Sequence, residues 1–179
     1  MRTIAAGTCS ELWREVGTVR ALTLHQPWAQ LMAWGLKNIE TRSWAAPRNL
    51  IGQRIAIHAG KREPRPTDWN IEVQRVVLQR AGSSHSMPMG AVVATGRLIE
   101  CMQVVSEPDS NGLVNCRGFG ELGDAPEYEA VLKTDPYGDF SVDRWMWVFQ
   151  DVRRVDPVSI NGRQGVWTLP AVVEAGLSA

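Results

Sequence analysis

From Val19 to His25 the chain reads V-R-A-L-T-L-H, with apolar and polar residues in turn, the period of a strand with one buried face. Pro27 suits the first turn of a helix. Trp28, Leu31 and Met32 then recur at helical spacing, and Gly35 supplies a stop. Ile39 to Trp44 alternates again, and Arg54 to His58 (R-I-A-I-H) predicts a short strand closed by Ala59-Gly60. Thr67 is placed to cap a second helix, in which Trp69, Val73, Val76 and Val77 share a face and Gly82 ends the run. Gly90 to Val105 is a long strand-like run, and Arg144 to Val155 returns to strand character. Between them, residues 106–141 are rich in Gly, Pro, Asp and Asn without a period, which predicts a long loop or insertion. Asn161-Gly162, between V-S-I and Q-G-V-W-T-L, predicts a hairpin. Two helices among short strands, without regular βαβ alternation, predict an α+β fold around a small barrel.

The length of 179 residues fits one domain, expected over 19–170 between an N-terminal extension (1–18) and a C-terminal tail (171–179), with an acidic loop insertion at about 106–142. With 44% hydrophobic and 21% charged residues the chain is globular, not disordered. Its zero net charge is a cancellation. Residues 1–97 carry 13 Lys/Arg against 6 Asp/Glu, and residues 98–179 carry 6 against 13. Two readings fit this split: a basic side facing nucleic acid, or a solvated acidic loop on an ordinary surface. A zero balance argues against a polybasic arm that grips nucleic acid by charge alone, and leaves room for a localised basic face. No apolar run reaches the roughly 18 residues of a membrane span, and the N-terminus turns polar too soon for a secretory signal, so a cytoplasmic location is expected. Cys9, Cys101 and Cys116 are odd in number and lack C-x-x-C spacing, which argues for reduced thiols rather than disulfides or a zinc knuckle. No cofactor is implied, and the need for a divalent ion is left open.

The segment with the most chemistry is Gly35-Leu36-Lys37-Asn38-Ile39-Glu40-Thr41-Arg42. Strand geometry puts Glu40 and Arg42 on one face and Ile39 and Thr41 on the other, with Lys37 at the loop that begins the strand. A cation, a carboxylate and a guanidinium so placed suit phosphate binding and proton transfer, and equally a structural ion pair beside a solvated lysine. His25 and Trp28 flank the helix entry, where Trp28 offers either a stacking face for a base or the start of the apolar helix face. Trp44 follows the charged strand as a cleft cover, and Trp145 and Trp147 share a strand face, one packed and one free for a ligand. Trp69 and Trp167 read as core, and Trp34 as core or rim. His58 and Lys61 end a strand at a glycine, where a phosphate contact or a satisfied histidine with a solvent-facing lysine both fit. Gly118-Phe119-Gly120-Glu121-Leu122-Gly123 matches G-x-G-x-x-G but is expected to be a flexible acidic loop, not a dinucleotide site.

Leu22 to Ala29 (L-T-L-H-Q-P-W-A) followed by G-L-K-N-I-E-T-R resembles the opening of the ASCH family, in the PUA-like superfamily, with its recurrent G-x-K-x-x-E-x-R. R-I-A-I-H-A-G-K (Arg54 to Lys61), the strand from Gly90 to Ile99 and G-R-Q-G-V-W-T-L (Gly162 to Leu169) extend the resemblance in order. The resemblance implies a small PUA-like β-barrel with flanking helices and a cleft lined by the signature's polar residues. It implies RNA or a modified nucleoside or nucleotide as partner. Some family members cleave RNA, and others are amidohydrolases acting on N-acylated cytidine, in which the lysine activates a threonine three residues later. Here Lys37 matches the lysine but Glu40 stands at the threonine position, and Thr41 is displaced by one residue.

The expected function is therefore nucleic-acid binding in a cleft whose chemistry centres on Lys37 and Glu40, with Arg42, His25, Trp28, Trp44, His58, Lys61 and Trp145 as ligand contacts. A hydrolase (amidohydrolase or ribonuclease) and a protein-interaction module built on the acidic insertion are the alternatives.

Overall fold

The computed structural model describes residues 19–123 and 128–170; the N-terminal extension with Cys9 and the tail from 171 lie outside the described residues. The first alternating run forms β1 (Arg20–Leu24), which turns Leu22 and Leu24 into the core. The other strands are β2 (Ile39–Arg42), β3 (Arg54–Ala59), β4 (Ala91–Val104), β5 (Leu113–Gly120), β6 (Tyr128–Lys133), β7 (Trp145–Ser159) and β8 (Val166–Thr168). Two helices accompany them, α1 (Trp28–Ala33) and α2 (Ile71–Ala81). The result is an α+β fold on one mixed sheet, ordered β2-β7-β4-β3-β1-β8, with β5 on β4 and β6 on β5. Only β1 and β3 pair in parallel among the described strands.

The length of β4 has a structural reason. Its first half, to Arg97, pairs with β3, and its second half, from Glu100, pairs with β5 on the same edge, while β7 runs along the other. Register shifts in the β4–β7 ladder mark bulges that bend both strands. The sheet curls into a half-barrel. Residues 160–165 suffice to carry the chain from β7 to β8, four places away in the sheet order. Across the mouth, the Arg42 guanidinium on β2 donates to the Thr23 carbonyl of β1 at 2.7 Å.

Helix α1 lies in the curl, with Ala29 to Ala33 all buried. Ala29, Met32 and Ala33 join the barrel core with Leu22, Ile57, Trp147 and Phe149, while Leu31 points to α2 and meets Trp69, Val73 and Val77. The short apolar helix thus ties the sheet to α2 and floors the mouth.

Several expectations change. The cap of α2 is Asn70, whose Oδ1 accepts from Val73 N–H at 2.9 Å, not Thr67. Trp69 is extended (φ −100°, ψ 145°), so the helix restarts after it. Gly82 ends α2 at φ 73°, as its position predicts. Asn161-Gly162 makes no β7–β8 hairpin, because β8 pairs with β1 instead. The expected loop at 106–141 contains the β5–β6 hairpin, held by Val114 and Cys116 against Met102, Val104 and Ile39. Half-buried positions alternate with exposed ones along β6, a one-faced strand hidden by its short length and polar residues.

The first half of the G-x-G-x-x-G stretch, Gly118 to Gly120, is the end of β5 rather than a flexible loop, and Glu121 to Gly123 follow the strand. A Cβ on Gly118 would overlap the Cys101 carbonyl oxygen, and one on Gly120 the Glu100 carboxylate, so these glycines serve close strand packing. Glu100 is itself buried and accepts from Leu122 N–H at 2.6 Å and from the Tyr128 hydroxyl. Cys101 and Cys116 are free, buried thiols, pushed up to about 12 and about 11 by desolvation. Such thiols are poor nucleophiles near neutral pH.

Candidate functional site

A cleft of about 330 Å³ opens where β2, α1, the turn before α2 and the β6–β7 loop meet. Its wall includes Trp28, Lys37, Glu40, Thr41, Tyr137 and Arg144. Lys37 enters from the loop before β2. Its side chain is 1% exposed, with Nζ 4.0 Å from both Glu40 Oε2 and Asp135 Oδ2. No hydrogen-bond partner reaches that ammonium among the described residues. A buried ammonium carries three strong donors, so leaving them unused is costly.

Burial holds the Glu40 carboxyl above its ordinary range, opposed by the positive charges of Lys37 and Arg42. Asp135 is raised by the same cause, with Lys37 again opposing. Asp135 Oδ1 accepts from Tyr137 N–H at 2.8 Å, which leaves Oδ2 facing Lys37. Two partly desolvated carboxyls therefore flank one desolvated cation.

Arg42 acts on this group from behind. Its Nε lies 3.3 Å from Glu40 Oε1 while its Nη2 holds the Thr23 carbonyl, so it orients Glu40 and closes the barrel mouth. Thr41 points to the opposite strand face, as period two predicts, yet it still reaches the cleft. The β6–β7 loop packs Phe140 beside Ile39 and donates Asp139 N–H to Thr41 Oγ1 at 3.2 Å, folding that face into the rim. Arg144 pairs with Asp139 at 3.0 Å, and Asn70 Nδ2 holds the Pro136 carbonyl at 2.8 Å. The cap of α2 thereby anchors the loop that presents Asp135.

The sequence pattern misses Asp135, which flanks Lys37, and the lining residues Tyr137, Gly138 and Asp139. They lie in the aperiodic stretch, and no motif or spacing marks them.

The other expected contacts are dispersed. Trp28 is half-buried on the cleft wall and also borders a second cavity with His25, Arg62 and Arg65. His25 is exposed, with its pKa lowered by partial burial and by the positive charges of Arg62 and Arg42. His58 and Lys61 border a third cavity with Asn161 and Arg163. The His58 ring is buried, with Nε2 donating to the Ile160 carbonyl at 3.0 Å and the ring standing nearly perpendicular to Trp167 at 5.6 Å. Lys61 Nζ donates to Asn161 Oδ1 at 2.5 Å. Trp44 and Trp145 stand away from the Lys37 cleft: Trp44 packs on Trp147 at 4.8 Å, and Trp145 lies 6.5 Å from Phe119. Trp69 and Trp167 are buried, and Trp34 is half-buried beside the α2 cluster. No cluster of three or more His, Cys, Asp or Glu suited to a metal occurs among the described residues. No described helix is long and apolar enough to cross a membrane.

The ASCH domain model matches residues 22–119, more than half of the chain. The chain belongs to the ASCH family. The match runs from β1 through most of β5, so it includes Lys37, Glu40 and Arg42 but ends before Asp135. The ASCH domain is an RNA-related, nucleic-acid-binding fold.

Activating signal cointegrator 1 of Mus musculus is 28% identical over 115 residues, 56% of this chain and 19% of that protein. Its namesake in Homo sapiens is 32% identical over 85 residues, 45% of this chain and 14% of that protein. The aligned part of the chain thus spans under a fifth of the length of these curated relatives. A crystal structure of ASCH from Zymomonas mobilis superposes with a TM-score of 0.45 at 12% identity, covering 88% of this chain and 91% of that one.

Proposed function

We propose that the Lys37 cleft binds a nucleobase, either in RNA or as a modified nucleotide. The observation that carries this reading is the buried Lys37 ammonium, with no hydrogen-bond partner among the described residues, 4.0 Å from the carboxyls of both Glu40 and Asp135. The Watson–Crick edge of every nucleobase combines acceptors with N–H donors. A Lys37 donor beside two carboxylate acceptors complements that pattern, with Nζ on a ring nitrogen or carbonyl and the carboxylates on an amine or ring N–H. Trp28 supplies a π face on the same wall. Membership of an RNA-related family agrees with this assignment.

The test is equilibrium binding of the four ribonucleoside monophosphates and of N4-acetylcytidine, followed by calorimetry. At least one is expected to bind, with Trp28→Ala costing about 1–3 kcal/mol. If none binds, or if affinity ignores both Trp28→Ala and Lys37→Ala, the reading fails.

A second reading, hydrolysis of an N-acylated cytidine, is favoured by the raised Glu40 carboxyl beside Lys37. In that reaction Glu40 takes a proton from water as the oxygen attacks the acyl carbon, and Lys37 holds the developing oxyanion. The C–N bond then breaks, and Glu40 returns the proton to the leaving amine. The same samples decide it: Glu40-dependent release of cytidine and the free acid, lost in Glu40→Gln, supports turnover, and intact ligand after long incubation excludes it.

A further inference from the structure

Two further cavities adjoin the cleft. The Lys37 cleft shares Trp28 and Asp68 with the second cavity, of about 150 Å³, and that cavity shares His25 with the third, of about 340 Å³. The three cavities therefore follow one another as a segmented groove from Lys37, by Trp28 and His25, to the turn at Asn161-Gly162.

The chemistry changes along it. At the Lys37 end the lining is suited to a base edge, with buried donors and acceptors and an indole. The middle holds Arg62 and Arg65 against Glu63 and Asp68. At the far end Lys61 and Arg163 line the wall with no carboxylate among the lining residues. Lys61, Arg62, Arg65, Arg163 and His25 are all exposed, so each meets the groove from its solvent side. The His25 pKa is lowered first by partial burial and then by the positive charges of Arg62 and Arg42.

The far end is also rigidly built. Thr23 Oγ1 donates to the Arg163 carbonyl at 2.7 Å, and Trp167 Nε1 donates to the same hydroxyl at 3.0 Å. Gly162 lies against the His58 ring, where a Cβ would overlap it. The turn carrying Arg163 is thereby fixed on β1 and β3 rather than left to swing. This placement accounts for Asn161-Gly162 outside a hairpin: the turn forms the wall of a groove.

A single nucleotide would use the first cavity and leave the cationic remainder idle. We infer that the groove is a track for a single-stranded oligonucleotide, with one base in the Lys37 cleft and the following phosphates running past His25 toward Lys61 and Arg163. The inference rests on the nucleobase reading of the cleft and extends it from a mononucleotide to a chain of about three nucleotides, one for each cavity. Asp68, at the junction of the first two cavities, is an acceptor placed for a sugar hydroxyl.

The test compares 5′-phosphorylated uridine, adenosine, cytidine and guanosine oligomers of one, two, three and five nucleotides, by fluorescence anisotropy or calorimetry across a salt series. Affinity is expected to rise at least tenfold from one nucleotide to three and then level off. Two additional phosphates should steepen the dependence of log K on log salt by about 1.4. Arg163→Gln, exposed and lining the third cavity rather than the Lys37 cleft, should remove most of that gain while mononucleotide binding and melting temperature stay unchanged. Arg163→Lys, which keeps the positive charge, should retain most of it.

Affinity that is already maximal for the mononucleotide overturns the track and leaves the cleft reading intact. Length-dependent binding without any mononucleotide binding, unaffected by Lys37→Ala, overturns the cleft reading and the placement of the base. Absence of binding at every length overturns both. A matching deoxyribonucleotide series separates the sources: equal affinity assigns the contacts to base and phosphate, and tighter RNA binding adds the 2′-hydroxyl.

Discussion

Lys37→Met is expected to destabilise the protein by about 3 kcal/mol near neutral pH, and by less as the pH falls. The lysine is the charge that two buried carboxyls share, at 4.0 Å each, and its removal leaves Asp135 with no cation among the described residues and Glu40 with Arg42 and Arg144. Burial already holds both carboxyls above their ordinary values in the folded chain. Between the unfolded and folded values the native state binds more protons, so stability falls as pH rises through that window. Without Lys37 the folded values move higher still, and the window extends toward neutrality. Urea denaturation of both proteins at about pH 5 and about pH 8 should therefore give the larger difference at pH 8. An equal difference at the two pH values would mean that the carboxyls do not depend on Lys37. Nucleotide affinity should also fall, by at least about tenfold, since a charged hydrogen-bond donor is removed from the base.

The elements with a clear period are legible in the chain itself. β1, β4, α1 and β7 lie where alternation or helical spacing places them, and Lys37, Glu40 and Trp28 do meet in one cleft. What the period does not convey is which strands pair. β8 takes the free edge of β1 because β1 lies against β3 and the sheet curls, a long-range fact absent from V-S-I-N-G. The same limit hides Asp135. Its neighbours Pro136, Gly138 and Asp139 break any period, and it reaches Lys37 because Asn70 holds the Pro136 carbonyl and Asp139 holds Thr41. Glu100 is hidden for the same reason: it lies within the strand-like run, yet only long-range pairing brings Leu122 and Tyr128 to bond it inside the sheet. Eight tryptophans also mean different things. Among those described, Trp28 alone borders the Lys37 cleft, while Trp147 serves the core.

Trp147→Ala is expected to be the most damaging single substitution in the barrel, at about 3–5 kcal/mol. Trp147 is fully buried, and its backbone stands between Glu40 of β2 and Cys101 of β4 in the sheet register. Its indole fills the curl beside α1, meets Trp44 edge to face at 4.8 Å, and donates from Nε1 to the Trp44 carbonyl at 3.2 Å. Truncation removes that volume from a core whose backbone is fixed on both sides by ladders, so the cavity cannot collapse fully. Trp147→Phe should recover much of the loss, because the ring refills most of the space and only the bond to Trp44 is missing. Trp44→Ala removes an exposed partner and should cost no more than about 1.5 kcal/mol. The three variants can be ranked by their urea midpoints at constant slope. A Trp147→Ala loss no greater than that of Trp44→Ala would show that the sheet, rather than the indole, holds the curl open. The stakes reach the site, since β2 carries Glu40 and Arg42 and pairs only with β7 among the described strands. A barrel that relaxes at Trp147 lets β2 drift from β1, breaks the Arg42 bridge to Thr23 and separates Glu40 from Lys37. Nucleotide affinity should then fall together with stability, even though Trp147 touches no ligand.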